Sequence, residues 1–398
     1  MHDDRSIGEC GRAANAHNVM RKRHIRMDEW EYIITIPGVK ATESVYSNEL
    51  GFVGPTDEKY QVISSVHPNM KKYLDSFHDI FGSELPPSMI IRRKADSQLE
   101  HWQLSQFRNT IAIPTVMKSR LMNYKNPYPN HVPYTDLFEF CLANMGRDYE
   151  HIVFRTPSET GGGNDVEGFT YNPNPSIIHP HLFKLEYDEL LMMALIKLYD
   201  DNSRNRDVKE FKKKVFRSLE MVFYALKAFT PNLGTAYDYG FVVSLWVPAF
   251  EILANPLSAP VSYRKVEELI NRVPWLSKEL RRKNYKRVNY NYGKKGKHEK
   301  VSLPVQVYSR LHYMRNLILH GSPIDEIKME PKNRERWIPL IIQAPALYRC
   351  TLLNMLCERG YGEYPPKNET FEGIWMNRNY FRYYEEILFK PPKKNAVD

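Results

Sequence analysis

The sequence predicts an α+β fold in which a β-rich or mixed N-terminal domain, residues 1–180, precedes an all-α helical bundle, residues 181–398. Before residue 180, short runs rich in Ile, Val and Thr alternate with turn residues, which is typical of strands. After it, apolar residues recur at steps of three and four, which is typical of amphipathic helices. A length of 398 residues also favours two domains over one.

Four runs in the N-terminal part are predicted to be strands: Glu31–Val39, Lys59–Val66, Ser88–Ala95 and Asn109–Met117. The breaker-rich stretch Pro157–His181 follows them and predicts a long loop or linker. Its Gly161–Gly163 triplet lacks the Lys-Ser/Thr of a phosphate-binding loop, so we interpret the triplet as a source of flexibility.

The C-terminal part is predicted to be helical, apart from a basic insertion at residues 278–300 and a frayed tail, Lys390–Asp398. The predicted helices include Arg206–Phe229, Tyr239–Ala254, Ser262–Val273, Leu303–Gly321 and a long segment with two prolines, Asn333–Gly360. On the first of them, we interpret the basic face as ordinary solvated surface; it comprises Lys209, Lys212, Lys213, Lys214 and Arg217. Trp102, Trp246 and Trp275 are predicted to lie in the core.

Composition narrows the class of protein. The hydrophobic fraction of 42% and the charged fraction of 26% exclude wholesale disorder, collagen and a coiled-coil rod. The sequence contains no run of about 18 apolar residues, so no membrane span is predicted. The start of the chain predicts no signal peptide. The 4 cysteines form no CxxC pair, so reduced thiols in a cytoplasmic protein are expected.

Positive charge is concentrated in one segment. The chain carries a net charge of +9, and Lys278–Lys300 alone has ten Lys/Arg against two Glu. A local patch of this kind is typical of a surface that meets an anionic partner. We predict that this basic, Tyr-rich insertion contacts RNA through Lys283, Lys286, Arg287, Lys294, Lys295, Lys297 and Tyr290, with the tyrosine stacking on a base. A solvated loop is the alternative.

The predicted helix Leu303–Gly321 separates apolar from polar residues. At about 100° per residue, one side carries a core stripe of Val307, Leu311, Met314 and Ile318. The opposite side carries Ser309, His312, Asn316 and His320, with Arg315 on one flank. We expect this polar side to be exposed.

These polar groups suit cleavage of a phosphodiester bond in RNA. Such cleavage needs a group that takes the 2′-OH proton, a group that protonates the leaving 5′-oxygen, and fixed positive charge at the phosphate. Histidine can transfer protons near neutral pH, and arginine supplies permanent charge and a fork for phosphate oxygens. Because this chemistry requires no metal, no metal or cofactor is predicted.

The motif RNLILHG, together with the upstream WVPAFEILAN, resembles the HEPN family, closest to its Apea-like branch. The family signature is Arg, a polar residue, three mostly apolar residues, His and often Gly, matched here by Arg315, Asn316, Leu317–Leu319, His320 and Gly321. Glu251 matches an acidic position at the end of an earlier family helix. The resemblance covers roughly residues 185–360. Arg12 and His17 share the Arg–His spacing, but no apolar stripe precedes them and no Gly follows.

The resemblance implies a metal-independent ribonuclease that dimerises to form one composite site, often in antiphage defence or as a toxin. The chain departs from the family pattern in the insertion 278–300 and in Ser322, where one variant of the signature has Tyr. The serine at position 322 disfavours pairing with a nucleotidyltransferase antitoxin that modifies such a tyrosine. Residues 1–180 match no family that we can name and are assigned a role in sensing a phage trigger or restraining the nuclease.

The sequence therefore predicts an endoribonuclease that leaves 2′,3′-cyclic phosphate ends. His320 would be the general acid/base, Arg315 would stabilise the phosphate, Asn316 would position either one, and Glu251 would orient Arg315 or form a buried ion pair. One alternative is a catalytically silent HEPN module that binds RNA or a protein partner. Another is a metal-dependent nuclease that uses His179, His181 and Asp188.

Overall fold

The computed structural model describes residues 29–79, 81–94, 99–125, 132, 134–155, 160–171, 185–227, 236–255, 262–287, 299–322, 338–362 and 382–390. An N-terminal sheet is followed by helices, so the chain has the predicted α+β fold. The strands of the first sheet are β1 (Trp30–Ile36), β2 (Val45–Tyr46), β3 (Leu50–Val53) and β4 (Ser88–Arg93). They pair antiparallel in the order β1-β4-β3-β2, and β1 and β4 confirm two of the predicted strands.

Both faces of this sheet are buried. Ile34, Phe52 and Ile90 face a large core that the helices share, whereas Met89 and Ile91 belong to a smaller core beneath helices α1 (Glu58–Val66) and α2 (Pro68–Asp75). A strand that is covered on both faces is apolar without interruption. This explains why β3 has no polar side chain and why Met89, Ile90 and Ile91 follow one another in β4.

Two of the predicted strands are wrong. Lys59–Val66 lies within α1, where the carboxylate of Asp57 accepts the backbone N–H of Lys59 at 2.8 Å and starts the helix. Asn109–Met117 lies inside α3 (His101–Lys125), and every residue of it is buried. A helix that is buried on all sides shows no 3.6-residue period, so its apolar run cannot be told from a buried strand.

The glycine triplet is also not the flexible loop that we predicted. Gly161–Gly163 lies in β7 (Thr160–Asn164), which pairs with β6 (Ile152–Arg155), and β5 (Ala143–Met145) completes this second antiparallel sheet. Glycine is a poor strand residue because it has no side chain to pack. Here the backbone ladder with β6 orders it despite that preference.

The remaining helices follow the predicted order. A short 3-10 helix, Thr135–Phe138, precedes them, and they are α4 (Glu189–Asp200), α5 (Arg206–Ala225), α6 (Ala236–Ala254), α7 (Tyr263–Asn271), α8 (Lys278–Arg281), α9 (Leu303–Leu319) and α10 (Leu340–Glu358). Residues 382–387 are helical as well, and β8 (Tyr285–Lys286) pairs with β9 (Lys300–Val301). Helix α6 packs against both α5 and α9, which places α9 beside the centre of the bundle.

The main core crosses residue 180. It combines residues of the first sheet and α3 with residues of α4 to α10. Polar contacts also cross: Asn109 Nδ2 donates to Glu220 Oε2 at 2.8 Å, and the backbone N–H of Asn48 donates to Asp200 at 3.0 Å. The domain division at residue 180 stays a prediction. Helix α3, which precedes residue 180 in the sequence, packs against α4, α5 and α10, which follow it.

A buried ion pair ties the start of α4 to α10. Arg349 Nε donates to Asp188 Oδ2 at 2.8 Å, and Nη2 donates to Oδ1 at 3.2 Å, with both side chains fully buried. Asp188 also caps α4, because its Oδ1 accepts the backbone N–H of Leu191 at 3.2 Å. The guanidinium lies 4.0 Å from the ring centroid of Tyr384.

In the described part of the chain, one helix, α10, is long and apolar enough to cross a membrane by length and composition. However, 83% of its most apolar window is buried inside the fold. A core helix has the same properties, and Trp246 and Trp275 lie in the same core, as predicted.

Candidate functional site

The predicted site lies at the C-terminal end of α9, which begins at Leu303 and reaches His320 as its C-cap residue. Gly321 has a φ of 64°, in the left-handed region, and its N–H donates to Ile318 O at 3.1 Å. The N–H of Ser322 donates to Leu317 O at 2.9 Å, so the two bonds form a Schellman motif. The observed helix agrees to within two residues with the bounds predicted from the Pro near its start and the Gly past its end.

We expect Gly321→Ala to lower the free energy of unfolding by about 1–2 kcal/mol, because a Cβ strains a left-handed residue. The strain is conformational, since a Cβ at Gly321 would meet no atom within 4 Å. Gly161→Ala is the control: its Cβ would also meet nothing, and its φ is not in the left-handed region. Urea unfolding of both variants measures the difference, and equal costs would contradict this account of the cap.

Three side chains near this end form a hydrogen-bonded chain. Arg315 Nη1 donates to Asn316 Oδ1 at 3.1 Å, and Asn316 Nδ2 lies 3.2 Å from His312 Nδ1. Since the Asn316 oxygen faces the guanidinium, its amide N–H groups face the imidazole. Asn316 therefore donates to His312 Nδ1, which must carry no proton and leaves the His312 proton on Nε2.

The surroundings of His312 favour this neutral state. The ring packs edge-on against Tyr263 of α7 at 5.1 Å between centroids. Burial lowers the pKa of His312 below its ordinary value of 6.5, and the positive charge of Arg315 lowers it further. His312 is thus a neutral imidazole at pH 7, held in one tautomer by Asn316.

Glu251 of α6 lies within electrostatic reach of Arg315. Burial raises the pKa of Glu251, and the charge of Arg315 counteracts that rise. Among the described residues, the two side chains form no direct ion pair. The structure thus brings Glu251 to the site predicted for it, at a distance where it can attract the guanidinium without holding it.

Two tyrosine hydroxyls line the inner side of this cluster. The rings of Tyr263 and Tyr308 lie 5.2 Å apart, and Tyr308 also packs on Phe250 at 5.5 Å. Among the described residues, the buried hydroxyl of Tyr308 has no hydrogen-bond partner, whereas the hydroxyl of Tyr263 lies near Ser309 and Glu267. Burial raises the pKa of Tyr308, and the charge of Glu251 raises it further, so the hydroxyl keeps its proton.

The prediction that the polar side of α9 is exposed is wrong for most of its length. Ser309 is buried and Asn316 is only 8% exposed. Both α6 and α7 pack against α9, and Tyr263 of α7 meets His312 on this side of the helix. His312 and Arg315 are half-buried, and only His320 is exposed. The opposite stripe is buried as predicted at Val307, Leu311 and Met314, and half-buried at Ile318.

Sequence reasoning placed His312 on this helix face but gave it no role. Its spacing of four from Asn316, the same spacing that separates Asn316 from His320, was the available signal. Tyr263 gave no signal, because it lies on another helix and meets the site only through the tertiary fold.

The basic segment is described at its two ends. Lys283 and Lys286 are exposed, and Lys286 lies in β8, whose pairing with β9 closes the insertion. Arg287 Nη2 lies 2.7 Å from Glu267 Oε1 and 3.3 Å from Glu299 Oε2, so Arg287 would have to leave these carboxylates to contact a phosphate. The other predicted RNA contacts lie outside the described residues: Tyr290, Lys294, Lys295 and Lys297.

Asp188, one of the three ligands of the alternative metal site, is not available to a metal ion. Both oxygens of Asp188 accept hydrogen bonds from Arg349, and the carboxylate is fully buried. His179 and His181 lie outside the described residues. Elsewhere, Asp148, Glu150 and His151 bring ligand atoms within 4.8 Å of one another on an exposed surface, which is common in proteins without an ion.

Comparison of the chain with family models, curated proteins and solved structures finds no match.

Proposed function

We propose that this protein is a metal-independent endoribonuclease of HEPN type, with its site at the C-terminal end of α9. The observation that carries the proposal is the hydrogen-bonded series Arg315–Asn316–His312, whose central residue lies about one turn before the exposed His320 at the helix cap. A cation, an orienting amide and an accessible imidazole are the groups that RNA cleavage by its own 2′-OH needs.

Each residue has a distinct role in this reaction. His320 takes the proton of the 2′-OH as that oxygen attacks the phosphorus, and a protonated histidine returns a proton to the departing 5′-oxygen. Arg315 stabilises the negative charge on the phosphate oxygens, and Asn316 holds the guanidinium from behind through its carbonyl oxygen. Glu251 keeps Arg315 near the site by attraction.

A homodimer would supply the second histidine and arginine. Ser309 and Asn316 are buried, so we do not place the contact along the whole polar side of α9. The end of the helix is accessible instead: Leu319 is 62% exposed and precedes the exposed His320. We therefore propose that two protomers meet at the C-terminal ends of α9, with Leu319 packing between them.

The resemblance suggests the biological setting. We propose that the protein is cytoplasmic and acts in antiphage defence or as a toxin on transfer RNA or another looped RNA. A phage trigger or an antitoxin would regulate it. Because the first sheet shares its core with the helices, residues 1–180 could pass a signal to the bundle through direct packing.

The alternative is a silent module that binds RNA or a protein partner. The hydrogen bond from Arg315 to its own neighbour Asn316 favours it, because a guanidinium so engaged has one donor fewer for a phosphate. The exposure of His320 disfavours it.

One experiment separates the two. Purified protein is incubated with total RNA in EDTA, and the ends of the products are sequenced. The proposal expects new 2′,3′-cyclic phosphate and 5′-OH ends, which wild type generates and His320→Ala does not. Intact RNA would support the silent module, and cleavage that EDTA abolishes would support a metal-dependent nuclease.

The basic segment is expected to act on RNA affinity more than on the chemical step. Changing Lys294, Lys295 and Lys297 together to Ala should flatten the log–log salt dependence of single-stranded RNA binding by up to about two units, at about 0.7 for each phosphate that is no longer neutralised. Turnover at saturating RNA should fall much less, because these residues transfer no proton. Affinities measured across a salt series test this, and Lys71→Ala with Lys72→Ala, on α2, is the control. Unchanged affinity and slope would mean that the segment faces something other than RNA.

A further inference from the structure

An open cleft of about 540 Å³ lies between the start of α3 and the first turns of α5, outside the site described above. Trp102 and Gln106 of α3 form one wall, and Lys209, Lys213 and Arg217 of α5 form the other. This volume is within the range of sites that hold small ligands. The floor is the connection between α4 and α5, which includes Asp201.

Trp102 was predicted to be a core residue, and this is wrong: its side chain is 56% exposed. The other tryptophans of the described chain, Trp30, Trp246 and Trp275, are buried. An exposed indole on a cleft wall offers a flat apolar face on which another aromatic ring can stack.

The opposite wall carries unneutralised positive charge. Lys209, Lys213 and Arg217 are exposed and stand four residues apart, so their side chains form one row along α5. Within the described part of the chain, none of the three head groups has an ion pair. The nearby carboxylate of Glu210 is engaged with Arg206 at 2.9 Å. Like charges at this spacing destabilise a helix, and an anion bound along the row would offset that repulsion.

The other charged groups of the cleft are held in place by the protein. Lys212 donates to the backbone carbonyls of Tyr199 and Asp201, the latter at 3.2 Å. The Asp201 carboxylate accepts from the Tyr361 hydroxyl at 2.6 Å and from the backbone N–H of Ser203 at 2.8 Å. A carboxylate has about four acceptor positions, so Asp201 can still accept from a sugar hydroxyl or a base amine.

We propose that this cleft binds a nucleotide, with its base stacked on Trp102 and its phosphates paired with Lys209, Lys213 and Arg217. The aromatic wall matches the base of a nucleotide, and the row of cations on the opposite wall matches its phosphates. A ligand with only a ring or only a phosphate would use one wall alone. A free nucleotide and one unit of a single strand share this chemistry. The proposal does not rest on the ribonuclease activity, because the cleft shares no residue with the α9 site.

The test measures affinity by calorimetry for full-length protein with ATP, GTP, CTP or UTP, with inorganic triphosphate, and with a short single-stranded deoxyoligonucleotide. The deoxy strand has no 2′-OH, so the proposed nuclease cannot cleave it. At least one nucleoside triphosphate, or the strand, should bind more tightly than inorganic triphosphate. Binding of mononucleotides identifies a free nucleotide as the ligand, and binding of the strand alone identifies a nucleic acid.

Variants assign the binding to this cleft. Trp102→Ala should weaken it by about 5- to 150-fold, which is the usual value of one base–aromatic stack. Lys213→Ala with Arg217→Ala should weaken it and reduce its salt dependence. Phe241→Ala, at a residue 59% exposed on α6, and Lys71→Ala with Lys72→Ala are the matched controls. All of these side chains are exposed, so the variants should fold, which thermal unfolding checks.

Three results would overturn the proposal. The first is no binding of any nucleotide or strand. The second is wild-type affinity in Trp102→Ala. The third is inorganic triphosphate binding as tightly as every nucleotide, which would reduce the cleft to a general anion-attracting surface.

Discussion

Replacing His320 with alanine is expected to lower the rate of RNA cleavage by about 10²- to 10⁴-fold, the usual contribution of a general acid or base. Stability should not change, because His320 is exposed at the end of α9. Arg315→Ala should lower cleavage by about 10²- to 10³-fold, as removal of a group that stabilises developing charge does. The measurement is single-turnover cleavage of a labelled RNA by each variant.

His312 makes this test sharper, because it is a second histidine on the same helix. It is neutral and half-buried, and its Nδ1 accepts from Asn316, so we assign it to holding the Asn316 amide. His312→Ala should therefore cost less activity than His320→Ala. Arg12→Ala and His17→Ala, which share the spacing of the signature, should be silent. Full activity in His320→Ala, together with its loss in His312→Ala, would show that the signature histidine is not the base.

Arg349→Met is expected to lower the free energy of unfolding by about 3–5 kcal/mol, because it leaves the Asp188 carboxylate buried without its partner. Both side chains are fully buried, and the two hydrogen bonds between them, at 2.8 and 3.2 Å, connect α4 to α10. Urea unfolding followed by circular dichroism measures the loss.

Two further variants show whether the cost comes from the buried charge. Adding Asp188→Asn to Arg349→Met should recover part of the stability, because asparagine removes the charge and still caps α4. Arg206→Met, which breaks the exposed pair with Glu210, should have little effect. If Arg349→Met proved as mild as Arg206→Met, the buried pair would not be a main link between the two helices.

Local chemistry made α9 predictable. Pro304 at its start and Gly321 past its end act through the backbone of their own positions, so the bounds required no knowledge of the fold. The same holds for β1 and β4, whose β-branched residues are bounded by turns. Helix α3 was not predictable over Asn109–Met117, because burial on every side removed the period that identifies a helix.

The candidate site was predictable in its residues but not in its environment. A helical projection places Asn316 opposite the stripe of Leu311, but it cannot show that tertiary packing buries Asn316 as well. For the same reason, it could not show that Tyr263 packs against His312, or that, among the described residues, Glu251 forms no direct ion pair with Arg315. Trp102 illustrates the converse: tryptophan is usually buried, and only the packing of α3 shows that this one faces a cleft.

Helix α3 also bears on how the chain could be divided. It comes from the N-terminal side of residue 180, yet it packs against α4, α5 and α10 and contributes Phe107, Ile111 and Val116 to their core. A fragment that began at residue 181 would expose the apolar surface that α3 covers, and we would expect it to aggregate rather than fold. The helical bundle therefore could not be inherited or transplanted without α3, and a regulatory signal received by the first sheet would reach it through rigid contact rather than across a hinge.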